Sequence, residues 1–105
     1  MGMNTSLEAA ATGYGTTRLT GAGALADTSL LGALGLPAFP DGVTGCDVLV
    51  LAGTLYIEND GTAADANVDQ IGAGDRYRVR NSLALLKRLH VATPAAYDVR
   101  VVLWG

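Results

Sequence analysis

From Cys46 onward the chain alternates. In YDVRVVLW, residues 97–104, Tyr97, Val99, Val101 and Leu103 fall on one side of an extended backbone, and Asp98, Arg100, Val102 and Trp104 on the other. A period of two gives a strand one apolar face, whereas a helix would scatter the same residues around its circumference. DVLVLA, TLYIE, RYRVR and KRLHVAT share the enrichment in β-branched and aromatic residues and are separated by glycine, asparagine or proline. Short strands at such spacing predict a mainly β protein, a small antiparallel β-sandwich or barrel occupying residues 46–105. NSLALL predicts one helical turn between two strands, capped by Asn81.

Residues 1–45 have another character. They hold nine of the 14 glycines and four charged residues, Glu8, Arg18, Asp27 and Asp41. Glycine loses the most backbone entropy on ordering, so ATGYGTTRLTGAGALA predicts an extended glycine-rich N-terminal arm that takes shape against a surface. DTSLLGALGLP predicts a short helix near residues 28–34. There Asp27 or Thr28 can cap, Leu30, Leu31 and Leu34 share a face, Gly35 can end the helix and Pro37 prevents continuation. PAFPDGVTG is turn chemistry leading into the β region.

At 105 residues, the folded chain buries about two-thirds of the surface its unfolded form exposes. Much of its apolar content is alanine and six residues are aromatic, so each side chain contributes little buried area and self-association is the expected remedy. The start, MGMNTSLEAAATGYG, has neither a basic cluster nor an apolar run of signal-peptide length. VLVLAGTLYI and VRVVLWG are too short to cross a bilayer as helices. The expectation is a soluble protein outside the secretory route and without membrane contact, on which the sequon Asn4-Thr5-Ser6 goes unused.

The chemistry-bearing residues form few constellations. A net charge of −3 argues against a nucleic-acid partner, because a phosphate backbone calls for a basic surface. One cysteine, Cys46, and one histidine, His90, make neither a disulfide nor a zinc set, and Cys46 reads as a small buried apolar residue. ENDGTAADANVDQ, residues 58–70, places Asp65, Asn67 and Asp69 like the first ligands of a calcium loop. However, Gln70 stands where the sharp turn needs glycine and Arg76 where a bidentate glutamate should close the site. Its simpler reading is a turn at Asn59, Asp60 and Gly61 with an exposed remainder. GAGALA, residues 21–26, fits a dinucleotide fingerprint by spacing but has no βαβ unit around it. His90 has no nucleophile or carboxylate near it in sequence, so it is expected exposed or at an interface. No catalytic residue, cofactor or metal ligand is expected, and the chain is read as a non-enzyme.

RYRVR is more informative. Alternation puts Arg76, Arg78 and Arg80 on one face of a strand, with Tyr77 and Val79 on the other. Like charges in a row repel and gain by facing carboxylates, of which seven lie between Asp41 and Asp75 without a basic residue among them. The readings are a solvated face, pairing across a subunit or capsid interface, or a nucleic-acid stripe.

LYIENDGTA, IGAGDRYRV, LKRLHVAT and YDVRVVLWG together resemble a pattern found in small structural proteins of tailed bacteriophages. It comprises an apolar strand ending in I-x-N-x-G-T, a glycine-acid turn into a strand, an R-L-x-V strand and a closing V-R-V strand. The resemblance covers residues 54–105 and brings no catalytic residue. It implies a virion structural protein: a capsid decoration (cement) protein on the virion surface, or a head-fibre base or tail component. The implied state is a homo-oligomer, a trimer by the commonest pattern, contacting a major capsid protein. The arginine series is not part of the resemblance; taken with the apolar C-terminal strand, it makes Arg76, Arg78, Arg80, Tyr97, Val99, Val101, Leu103 and Trp104 the expected interface residues of such an oligomer. The alternative of another class is a small carbohydrate- or ligand-binding β module with Tyr56, Tyr77 or Trp104 as stacking platforms.

Overall fold

The C-terminal alternation becomes strand β8, Tyr97–Trp104. Val99, Val101 and Leu103 are buried, Arg100 is exposed, and Val102 and Trp104 are half-buried on the opposite face. The structure is a computed structural model and describes residues 13–105. In chain order the other elements are β1 (Gly13–Gly21), β2 (Leu25–Ser29), α1 (Leu30–Leu34), β3 (Gly45–Ala52), β4 (Thr54–Glu58), β5 (Asp69–Gly72), β6 (Arg76–Val79), α2 (Leu83–Arg88) and β7 (His90–Thr93).

The strands form two four-stranded antiparallel sheets packed as a β-sandwich, with orders β1-β8-β3-β6 and β2-β7-β4-β5. Four of the pairings are nested: β1 with β8, β2 with β7, β3 with β6 and β4 with β5. That is one long hairpin wrapped over itself, closed laterally by β3 with β8 and β4 with β7. It is the connectivity of an eight-stranded jelly roll.

The core lies between the sheets. Cys46, Val48 and Val50 from β3 and Val99 and Val101 from β8 face Leu55 and Ile57 from β4 and Val91 from β7, all at 2% exposure or less. At the centre a void of about 10 Å³, walled by apolar side chains such as Leu25, Val48 and Val101, sits at the lower limit for one water. Gly45 is where the close packing needs no side chain, since a Cβ there would meet Trp104 Nε1 and the Val79 carbonyl at 2.6 Å.

The expected arm is corrected over its described part. Residues 13–21 form β1, which pairs with β8 from Gly13↔Trp104 to Gly21↔Tyr97, and residues 25–29 form β2, which pairs with β7. Each completes an edge of a sheet, so no boundary falls at residue 45. The surface this segment was expected to need is the protein's own sandwich, whose strands β8 and β7 would otherwise carry unpaired backbone groups. Residues 1–12 of that arm, the sequon included, lie outside the described residues.

The short helix is present, but its cap is Ser29, whose hydroxyl accepts from the Gly32 amide, rather than Asp27 or Thr28. Gly35 ends it in the left-handed region. Ser82 likewise replaces Asn81 as the cap of α2, and KRLHVAT divides, with Lys87 and Arg88 ending α2 and the strand starting at His90.

Candidate functional site

The outer face of the first sheet is built by register. Arg18, Arg100, Leu49 and Arg76 form one row across all four strands, and Thr16, Val102, Asp47 and Arg78 form the next. Five of the chain's seven basic residues, Arg18, Arg76, Arg78, Arg80 and Arg100, lie on these strands or immediately after β6, against Asp47 and Asp98 on the strands and Asp75 immediately before β6.

Arg76 and Arg78 lie on one face of β6 as expected, with Val79 buried opposite, while Arg80 falls just past the end of the strand. The partner of Arg78 is in the same chain. Its Nε and Nη2 donate to the two oxygens of Asp47 at 2.6 and 3.0 Å, a fork-to-fork pair across β3 and β6. Arg76 approaches the same carboxylate at 3.9 Å. Arg78 and Arg80 also lie 5.4 and 5.9 Å from the centroid of the Trp104 ring, within cation–π range. On the other edge Arg18 makes a second fork to Asp98, at 2.7 and 2.6 Å. Those hydrogen bonds hold the Asp98 carboxyl below its ordinary range and push the Arg18 guanidinium up.

The C-terminal interface residues are corrected in the same way. Val99, Val101 and Leu103 face the opposite sheet, and Tyr97 packs beside them. Offering them to a neighbour would forfeit ~1.5–3 kcal/mol for each side chain, a large share of a domain's ~5–15 kcal/mol. Trp104 is on the outer face.

The segment 58–70 is a strap. Asn59, Asp60 and Gly61 turn the chain as expected: Asp60 Oδ1 accepts from the Thr62 amide at 2.9 Å and Gly61 sits at φ +89°, a conformation favouring glycine. The Thr62 hydrogen bonds hold the Asp60 carboxyl below its usual range, with Arg88 adding a smaller attraction. The strap then returns toward β2, where the Ala64 amide donates to Asp27 Oδ1 at 2.8 Å and Ala64 is 4% exposed. His90 Nδ1 lies 3.1 Å from the same oxygen, and since a carboxylate accepts, that nitrogen carries the hydrogen. His90 is thus half-buried against a carboxylate 63 residues away in sequence, rather than free. Gln70 Nε2 donates to the Ala66 carbonyl at 3.0 Å, closing the strap onto β5.

Cys46 is fully buried, and burial first, then the Asp47 charge, pushes its thiol up to about 12. GAGALA spans the last residue of β1, the connection Ala22, Gly23 and Ala24, and the first two residues of β2. Tyr56, between inward Leu55 and Ile57, is on the outer face of the second sheet, while Trp104 is on that of the first and Tyr77 accepts a hydrogen bond from Asn59 Nδ2 at 3.1 Å. The three aromatics form no common platform. Among the described residues no His, Cys, Asp or Glu cluster could hold a metal ion, and no helix is long and apolar enough to cross a membrane.

Sequence reasoning missed Asp47, Asp27 and Arg18 as parts of these arrangements, because each is defined by a partner 31 to 80 residues away. Arg100 was missed as well, although alternation placed it on the same strand face as Trp104. Comparison with family models, with curated proteins and with solved structures finds no match to this chain.

Proposed function

We propose that this protein is a structural component of a tailed-bacteriophage virion, a capsid decoration protein that stabilises the head by surface contact, with no chemical step of its own. The observation that carries the proposal is the wrapped hairpin of eight strands around a filled apolar core. It is an architecture that viral capsid domains use, and it presents two broad sheet faces to neighbours. The resemblance of residues 54–105 to small phage structural proteins supports the same reading. Fold alone does not assign function, and jelly rolls also serve lectins and cupins. For a carbohydrate module the aromatics would need to converge, whereas Tyr56 and Trp104 occupy opposite outer faces.

In this role the protein works as a homo-oligomer, a trimer in the proposed state, seated on major capsid protein at the virion surface. The outer face of the first sheet, with Arg76, Arg80, Arg100 and Trp104, makes the contact between copies within that oligomer. A head-fibre base or tail component is the neighbouring possibility within the same class. Quantitative mass spectrometry of purified particles tests the proposal. A decoration protein is present in a copy number commensurate with the coat lattice, a tail component in a handful of copies, and absence from particles would refute the virion reading.

A further inference from the structure

The charges of this molecule are segregated by sheet. The outer face of the first sheet and the residues flanking β6 carry five arginines against Asp47, Asp75 and Asp98, a surplus of two positive charges on a chain whose net charge is −3. The strands of the second sheet and the strap, residues 25–29, 54–72 and 90–93, carry Asp27, Glu58, Asp60, Asp65 and Asp69 and no lysine or arginine. Asp27 is engaged by His90, and Asp60 accepts hydrogen bonds from Thr62. Asp65 and Asp69 are exposed, and neither has an ion pair among the described residues.

The arginine face also has the composition of a contact surface. Leu49 and Val102 are half-buried at its centre, Leu49 in register between Arg76 and Arg100, and Leu51 is 41% exposed. Arginine and tryptophan are the residue types most enriched at binding hot spots, and here an apolar centre is rimmed by them. On the strap, exposed Ala63 and Ala66 flank Asp65, giving a carboxylate surface with small apolar steps.

We infer that the arginine face of one copy docks on the acidic strap of a second copy, a head-to-tail contact between unlike surfaces. Pairing the arginine face with itself would oppose ten guanidiniums and six carboxylates, a repulsive arrangement. A polyanion such as nucleic acid would meet the arginines but also the field of an acidic molecule. The acidic surface the structure itself supplies is the strap half. A contact of this kind generates a ring if its rotation closes and a filament if it does not. Four strands ~4.8 Å apart and ~7 residues long give a face of ~450 Å² per partner, ~900 Å² in all and below the ~1,000 Å² a stable specific interface clears, so association is weak and strongly salt-dependent. The inference extends the proposed oligomer but concerns the isolated chain, so its failure would leave the particle-bound role to be judged by particle composition.

The full chain in sedimentation equilibrium tests it. At about 0.02 M salt the average mass should rise with concentration above that of one chain, and at about 1 M, where the screening length falls to ~3 Å, it should return to one chain. Arg76→Gln with Arg100→Gln, and separately Asp65→Asn with Asp69→Asn, should each weaken self-association at least about tenfold. Mixed together, the two variants should form a one-to-one dimer, because each retains the patch the other lacks. A monomer at low salt, undiminished association of either variant, or no recovery on mixing would each overturn the inference. So would salt-dependent binding of single-stranded DNA through Arg76 and Arg100 without self-association, which would assign the face to nucleic acid instead.

Discussion

Asp47 organises the arginine row. Its two oxygens hold Arg78 and draw Arg76, and its position between Val102 and Arg78 fixes where the guanidiniums sit relative to Trp104. The Asp47 and Arg78 side chains are 17% and 25% exposed, so the pair is better shielded than the Arg18–Asp98 fork, whose arginine is 59% exposed. Asp47→Asn should lower the urea midpoint by the equivalent of about 1–2 kcal/mol with an unchanged m-value, and Arg18→Gln should cost less and lose its effect in high salt. Cys46 gives a second test at this scale. Its thiol is raised in the folded state from its ordinary 9.0 to about 12, so the folded form retains a proton that the unfolded form gives up. Stability is therefore unaffected below the unfolded value and falls as pH rises from there toward about 12. Melting temperatures across that alkaline range should decline for the parent and decline less for Cys46→Ala. At neutral pH a thiol reagent should label native Cys46 only as fast as the sandwich opens.

Among the elements, β8 is the centre of the first sheet, bonded to β1 on one side and β3 on the other. Val101→Ala removes a side chain 1% exposed and should cost about 2–3 kcal/mol, whereas Val102→Ala, one residue along on the outer face, should cost well under half as much; equal losses in urea melts would contradict the assigned faces. Strands with a full apolar face were legible in the sequence: TLYIE and YDVRVVLW match β4 and β8 residue for residue. The edge strands β1, β2 and β5 were not. GYGTTRLTG has one large aliphatic residue, Leu19, facing inward, and its strand state comes from backbone hydrogen bonds offered by β8 rather than from its own hydrophobic pattern. The same limit applies to the site. Alternation placed three arginines on one face, but the identity of their carboxylate depended on the register of β3 against β6, which no local pattern carries. Trypsin distinguishes strand from arm directly, because Arg18 is the one lysine or arginine before residue 76. Paired with Arg100 in register and forked to Asp98, Arg18 should resist cleavage on a timescale that fully cuts the denatured chain.

At the scale of the molecule, the nested hairpin ties sequence ends together. β1 and β8 are neighbours although Arg18 and Asp98 are 80 residues apart, and each sheet draws strands from both halves of the chain, so no half holds a complete layer. Residues 46–105 alone would lack β1 and β2, the outer strand of each sheet, together with Leu30, which is 1% exposed in the core. That fragment would expose one flank of β8 and one flank of β7 as unpaired edges and leave the core without Leu30, conditions that favour aggregation over folding. Trp104, the single tryptophan, is paired in register with both Gly13 and Gly45, so its emission reports on the first sheet, while circular dichroism reports on all eight strands. In the whole chain the two signals should melt together as one transition, and residues 46–105 alone should show neither a cooperative transition nor the native tryptophan emission. A fragment that folds cooperatively would mean that β1 and β2 are accessories to the sandwich. Failure to fold would mean that the glycine-rich first half is as much a part of the fold as the alternating second.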